Sequence, residues 1–195
     1  MRDGLAKTWF DAFMKLIQIH ETSVPLREAA VGATLGKWTE ALTGAVVATC
    51  ETLQWTASAK GHSCRLLPID RHEYLGVDVM AFEGKSKGQW QFPVAVFELE
   101  NSKRDDAVSY SLWKVMCVHA DLRVVFCYRA HAADGSPLIH SLQNEVISTM
   151  RIERRIAWAA ETVVVVGSTS EASNFPYGFF KPWYLDANTG KFYRN

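Results

Sequence analysis

Asp78 stands in YLGVDVMAF, and Glu98 and Glu100 stand in VAVFELENSKRDD. Successive side chains on a strand point to opposite faces. Glu98 and Glu100 therefore share a face with Val94 and Val96, while Ala95, Phe97 and Leu99 share the other. A strand apolar on both faces reads as central and covered on both sides. Ionised carboxylates at its end are costly unless they meet cations, hydrogen-bond donors or water. Two readings stay open. Either the strand surfaces at Glu98 and its acids pair with Lys103 or Arg104 in solvent, or the acids are held there for chemistry. Residues two apart on a strand are separated by about 6.6 Å, and neighbouring strands lie about 4.8 Å apart. If the strand of Asp78 pairs with that of Glu98, all three carboxylates could converge. Three acids so placed repel unless a dication neutralises them. Mg²⁺ or Mn²⁺ suits such a site, because both favour carboxylate, carbonyl and water ligands. A carboxylate-bound ion with open positions can hold a scissile phosphate, activate water and neutralise the leaving oxygen.

The surrounding pattern supplies elements to carry these residues. Leu5, Trp9, Phe13 and Leu16 are at helical spacing within residues 3–20. A second helix is expected over about 26–58, with Leu35, Trp38, Leu42, Val46 and Leu53 on its buried stripe and a break or kink at Gly32, Gly36 or Gly44. CRLLPID, YLGVDVMAFE and QFPVAVFELE read as strands, the last two joined as a hairpin by GKSKGQ. Asp105 or Asp106 can cap a helix running to about His119. LRVVFCYR follows as a buried strand, Ser136-Pro137 opens a helix through about Arg155, and TVVVVG is another strand. The tail GFFKPWYLDANTGKFYR reads as a hairpin around Asn188-Thr189-Gly190. The order predicts an α/β fold with a mixed central sheet flanked by helices.

The succession from the leading helix through GVDVMAF, FELENS, DDAVSYSLWKVMCV and LRVVFCYR resembles the PD-(D/E)XK nuclease superfamily, with its restriction-endonuclease-like fold. The resemblance covers about residues 37–129. It implies that Asp78 and Glu98 are metal ligands, joined by the peptide carbonyl of Leu99. Glu100 stands where the family usually has Lys. Some members carry Glu there, and in others the lysine has moved to the following helix. Lys114 is the candidate on that helix, one turn from Tyr110 and on the same face. Lys103, in the loop, is the second. The lysine would orient the attacking water or stabilise charge on the phosphate. The resemblance implies a divalent-metal-dependent phosphodiesterase acting on DNA or RNA, with Asp78, Glu98, Glu100 and Lys114 as its catalytic set. The alternative is a domain of the same fold without catalysis, binding nucleic acid or protein.

The rest of the chain sets the frame. Its 195 residues suit a single domain, with the nuclease-like core over 37–129, an N-terminal helical segment 1–36 and an extension 130–195. It is 48% hydrophobic and 22% charged, which fits a globular chain. No apolar run approaches the roughly 20 residues that span a bilayer, so no membrane partner is expected. The 21 basic and 21 acidic residues balance, which argues against indiscriminate coating of nucleic acid but leaves room for a local basic groove. Lys85, Lys87, Lys103, Arg104, Arg123, Arg151, Arg154 and Arg155 are candidates for phosphate contacts. Tyr110 and Trp113 read as core packing ahead of base stacking, and Glu40, Glu51 and His72 as surface residues. Cys50, Cys64, Cys117 and Cys127 form no CxxC pair and read as buried free thiols, which fits a reducing cytoplasm. A homodimer is compatible with this reading.

Overall fold

A computed structural model describes residues 4–32, 35–84, 87–157 and 159–194. The first strand-bearing unit begins with three helices: α1 (Leu5–Leu16), α2 (His20–Val31) and α3 (Leu35–Thr52). They are followed by β1 (Thr56–Ala59), β2 (Val79–Phe82), β3 (Ala95–Leu99), α4 (Asp105–Met116) and β4 (Leu122–Arg129). Then come α5 (Gly135–Glu145), α6 (Ile152–Ala157), β5 (Glu161–Ser168), β6 (Phe180–Asp186) and β7 (Lys191–Tyr193). The strands form one seven-stranded sheet in sequence order. β3, β4 and β5 run parallel, and every other neighbouring pair is antiparallel. The chain is thus α/β with a mixed sheet, and helices flank both faces.

Strand alternation builds two cores. Ala95, Phe97 and Leu99 of β3, Val124 and Phe126 of β4, and Val163 and Val165 of β5 face α1 and α3. Trp9 and Phe13 of α1 fill that side, Trp9 stacking on Phe13 and packing against Phe97 and Phe126. Val96, Val125, Val164 and Val166 face the opposite way, against Val108, Leu112 and Val115 of α4 and Leu138 and Leu142 of α5. α1 is tied to the sheet at its start. The Leu5 and Ala6 N–H groups donate to the two carboxylate oxygens of Glu161 at 2.8 and 2.9 Å. First-turn amides of a helix have no partner of their own, and an anion there also complements the dipole.

Several expected elements differ. The helix expected over 26–58 is two helices, α2 and α3, and α2 ends at Gly32. CRLLPID is a loop, since Pro68 offers no N–H to a ladder and Arg65 sits at φ +46. Its Leu66 and Leu67 still pack into the α4-side core. The strand beside β2 is instead TASA, which is too short and too bland to stand out. The helix expected through Arg155 stops at Glu145, and α6 is separate. The terminal hairpin forms as expected around Asn188-Thr189-Gly190. Cys50 and Cys127 are buried free thiols, but Cys64 is half-buried and Cys117 is exposed just past the end of α4. No helix among the described residues is long and apolar enough to cross a membrane.

One glycine is fixed by close approach. A Cβ on Gly167 would lie 2.6 Å from the Tyr128 ring and 3.1 Å from that of Phe179. Both rings are buried and cannot swing away. Gly167→Ala is expected to lower stability by about 1–3 kcal/mol through overpacking. Urea unfolding reads this as a lower midpoint at unchanged slope, and an unchanged midpoint would show that the rings yield.

Candidate active site

The β2–β3 register pairs Val79 with Phe97, so Asp78, one residue before β2, lies across from Glu98. Residues directly opposite on an antiparallel pair share a face, here the face covered by α4. Glu98 is 4% exposed and Asp78 is half-buried. Asp78 Oδ2 accepts the Leu99 N–H at 2.7 Å, which locks its carboxylate against the end of β3. A residue in an extended strand turns its N–H and its C=O to the same side, so the Leu99 carbonyl is carried toward the Asp78 edge.

α4 supplies the cation. Val108, Leu112 and Val115 bury one stripe of this helix against the sheet. Lys114 flanks that stripe, and its Nζ lies 2.7 Å from Glu98 Oε2. The same ammonium donates to the Gly76 carbonyl at 2.8 Å, bridging β3 to the turn before β2. Glu98 Oε1 is buried with no hydrogen-bond partner. Burial is the main cause that pushes the Glu98 carboxyl up to about 7. The Lys114 hydrogen bond pulls it down, and the nearby Asp78 charge pushes it up again.

Glu100 is placed differently. The chain leaves strand geometry after Leu99. Glu100 Oε1 accepts the Ser102 N–H at 2.6 Å, and Oε2 accepts the Ser111 hydroxyl at 3.1 Å. Glu100 thereby fastens the β3–α4 loop to α4. Among the described residues no group of three or more His, Cys, Asp and Glu side chains is arranged to hold a metal ion. The three-carboxylate pocket expected from the sequence is instead two carboxylates and an ammonium, because local donors capture Glu100 first. The alternative, acids rising into solvent to pair with Lys103 or Arg104, does not describe Glu98 either. Glu98 is buried on Lys114, and Arg104 makes a two-point pair with Asp106 at 2.9 and 2.6 Å.

The other expected residues divide. Lys103 lines a cavity with Trp38, Asn101 and Tyr128 on the α3 side of the sheet, so of the two lysines it is Lys114 that meets the acids. Arg123 is buried and donates to the Val118 carbonyl, and Arg155 donates to the Ala187, Ile147 and Met150 carbonyls. Neither is at hand for phosphate. Lys85 lies outside the described residues. Glu40, Glu51 and His72 are exposed, as expected. Tyr110 and Trp113 are not core residues: they are 59% and 54% exposed, because the buried stripe of α4 runs along its other side. Gly76, Ser102 and Ser111 are partners of the site that no sequence signal marks, since short polar residues and a backbone carbonyl carry no motif.

The oxygen donors here are of the type that Mg²⁺ or Mn²⁺ would take. Such ions bind through one or two carboxylates and keep several waters. Asp78, Glu98 with its unpartnered oxygen, and the Leu99 carbonyl are the residues that would supply such ligands. No protein-family model, no curated protein and no solved structure matches the chain.

The raised Glu98 carboxyl has a thermodynamic consequence. Between its ordinary value of 4.5 and about 7, the folded chain holds a proton that the unfolded chain releases. The resulting stabilisation is present below the unfolded value and is lost as pH rises to about 7. Relative to Glu98→Gln, the parent chain should lose about 2–3 kcal/mol between pH 4.5 and pH 8. Denaturant midpoints across that range measure it, and a pH-independent difference would show that Glu98 ionises normally.

Proposed function

We propose that the chain is a divalent-metal-dependent phosphodiesterase of the PD-(D/E)XK kind, acting on DNA or RNA. The observation that carries this reading is the meeting of Asp78 and Glu98 across β2 and β3, with Lys114 of the next helix 2.7 Å from Glu98. The succession α3, β2, β3, α4 and β4 supports it, because it is the succession of elements on which the resemblance rests.

Asp78 and Glu98, with the Leu99 carbonyl, would hold Mg²⁺ or Mn²⁺. The bound ion would polarise the scissile phosphate and lower the pKa of an attacking water. Asp78 is already oriented by the Leu99 N–H. Glu98, with its carboxyl at about 7, must give up its proton to become a ligand, so metal affinity should rise with pH through neutrality. The Lys114 ammonium sits at the edge of the pair, where it can donate to a phosphate oxygen or to the water. The side of the pair facing the 74–77 turn and Lys114 is where substrate would enter.

Two features favour a second reading, a binding module of the same fold without catalysis. Glu98 already has a cation in Lys114, and the position after Leu99 carries Glu where the family usually has Lys. Calorimetric titration with Mn²⁺ at pH 8, together with cleavage assays on plasmid, single-stranded DNA and RNA, separates the two. Metal uptake with cleavage supports the enzyme. A folded chain that takes up no Mn²⁺ and leaves all three nucleic acids intact supports the module.

A further inference from the structure

The exposed aromatic side of α4 leads away from the acidic pair. The Lys114 ammonium, bound to Glu98, lies 5.8 Å from the Tyr110 ring centroid, within cation–π range. Tyr110 and Trp113 stack with centroids 6.0 Å apart and planes 27° apart. Trp113 in turn borders a groove of about 460 Å³ between α4 and the segment leading into α6. Met116, Cys117, Met150, Arg151 and Arg154 also line it. A chain of neighbours thus runs from Glu98 through Lys114, Tyr110 and Trp113 to this groove.

The groove carries charge of one sign. Arg151 and Arg154 are exposed, and neither has an ion-pair partner among the described residues. No carboxylate lines the groove. The α5 carboxylate Glu145 is held by the hydroxyls of Ser109 and Ser141 at 2.7 and 2.9 Å. Two large aromatic faces in solvent and two unneutralised guanidinium groups stand close together on a chain of zero net charge. Aromatic faces take unpaired bases by stacking, while cations track the phosphates. In a duplex the base faces are covered by their neighbours and offer nothing to Tyr110 or Trp113.

We propose that Tyr110, Trp113 and the Arg151–Arg154 groove bind an unpaired polynucleotide strand and lead it to the Asp78–Glu98 pair. The direction of this path rests on the phosphodiesterase reading; the binding itself does not. Nothing in stacking and phosphate contact reads the sugar, so DNA and RNA strands should bind alike.

The test is fluorescence anisotropy with labelled dT15, rU15 and a 15-base-pair duplex, in EDTA. Both single strands should bind about tenfold or more tightly than the duplex, and Trp113→Ala should weaken them about tenfold. The double variant Arg151→Ala/Arg154→Ala should weaken them further and flatten the slope of log K against log salt by about 1.4, for two phosphate contacts on a single strand. Both sets of changes are on exposed residues, so melting temperatures should stay at the parent value. Cys117 lies in the same groove and is exposed, so bound dT15 should slow its reaction with a maleimide.

Equal affinity for duplex and single strands would overturn the proposal, as would an inert Trp113→Ala. A dimer in light scattering that Trp113→Ala dissociates, with no strand bound, would assign the groove to a second copy of this chain. The two readings fail separately. Asp78-dependent cleavage of duplex DNA with no strand binding in the groove leaves the enzyme and removes the path. Trp113-dependent strand binding without Mn²⁺-dependent cleavage leaves the groove and removes the enzyme.

Discussion

On the phosphodiesterase reading, Asp78→Asn is expected to suppress Mn²⁺-dependent cleavage while leaving the fold intact. Asn can still accept the Leu99 N–H through its side-chain oxygen, so the bond that locks position 78 survives. What is lost is one negative charge of two. A metal ion supplies several kcal/mol of charge stabilisation in a phosphoryl transition state, and losing it should slow cleavage on the order of 10²–10⁴-fold. Two further readouts accompany activity. Mn²⁺ at one hundred times its dissociation constant should stabilise the parent by about 2.7 kcal/mol and the variant by almost nothing. EDTA should bring the parent down to the rate of the variant. Cleavage untouched by Asp78→Asn would falsify the assignment of the acidic pair, whatever else the chain binds.

Lys114→Met strips Glu98 of its cation, and the cost depends on pH. Glu98 is buried, and its second oxygen already lacks a partner. Removing one member of a buried ion pair leaves an uncompensated charge and costs about 3–5 kcal/mol. The Lys114 side chain is 22% exposed, so partial solvation lowers that cost. At pH 8 the variant should be less stable than the parent by about 2–4 kcal/mol. The Lys114 hydrogen bond is what holds the Glu98 carboxyl down, so its loss lets the carboxyl rise above about 7. At pH 5.5 Glu98 is then protonated in both proteins, and the penalty should fall below about 1 kcal/mol. Glu98→Gln in the Lys114→Met background should recover most of the loss at pH 8, because no charge remains to be stranded. Equal penalties at both pH values would mean that the pair is solvated, and the electrostatic account of the site would fall with it. The same substitution should also slow cleavage, since no donor then faces the phosphate.

The sequence by itself determined the layered α/β class, the central strand apolar on both faces and the placement of Asp78 near Glu98. These are local consequences of period-two alternation and of a short connection between two apolar runs. It also put Lys114 on the helix that returns over that strand. It did not reveal β1, because TASA has neither length nor bulk, nor that CRLLPID is a loop, because its leucines are buried without a ladder. Tertiary structure alone decided the rest of the site. Glu100 obeys strand alternation on paper, yet Ser102 and Ser111 turn it toward α4 once the chain leaves the strand. Lys114 on the helix and Lys103 in the loop were both candidates, and the packing of α4 brings the first to Glu98 and leaves the second on the far side of the sheet. Tyr110 and Trp113 have the composition of a core and stand in solvent, because a helix against a sheet can bury one stripe only. Alternation fixes where a side chain starts. What it meets depends on elements distant in the chain, and so do its charge, its exposure and its chemistry.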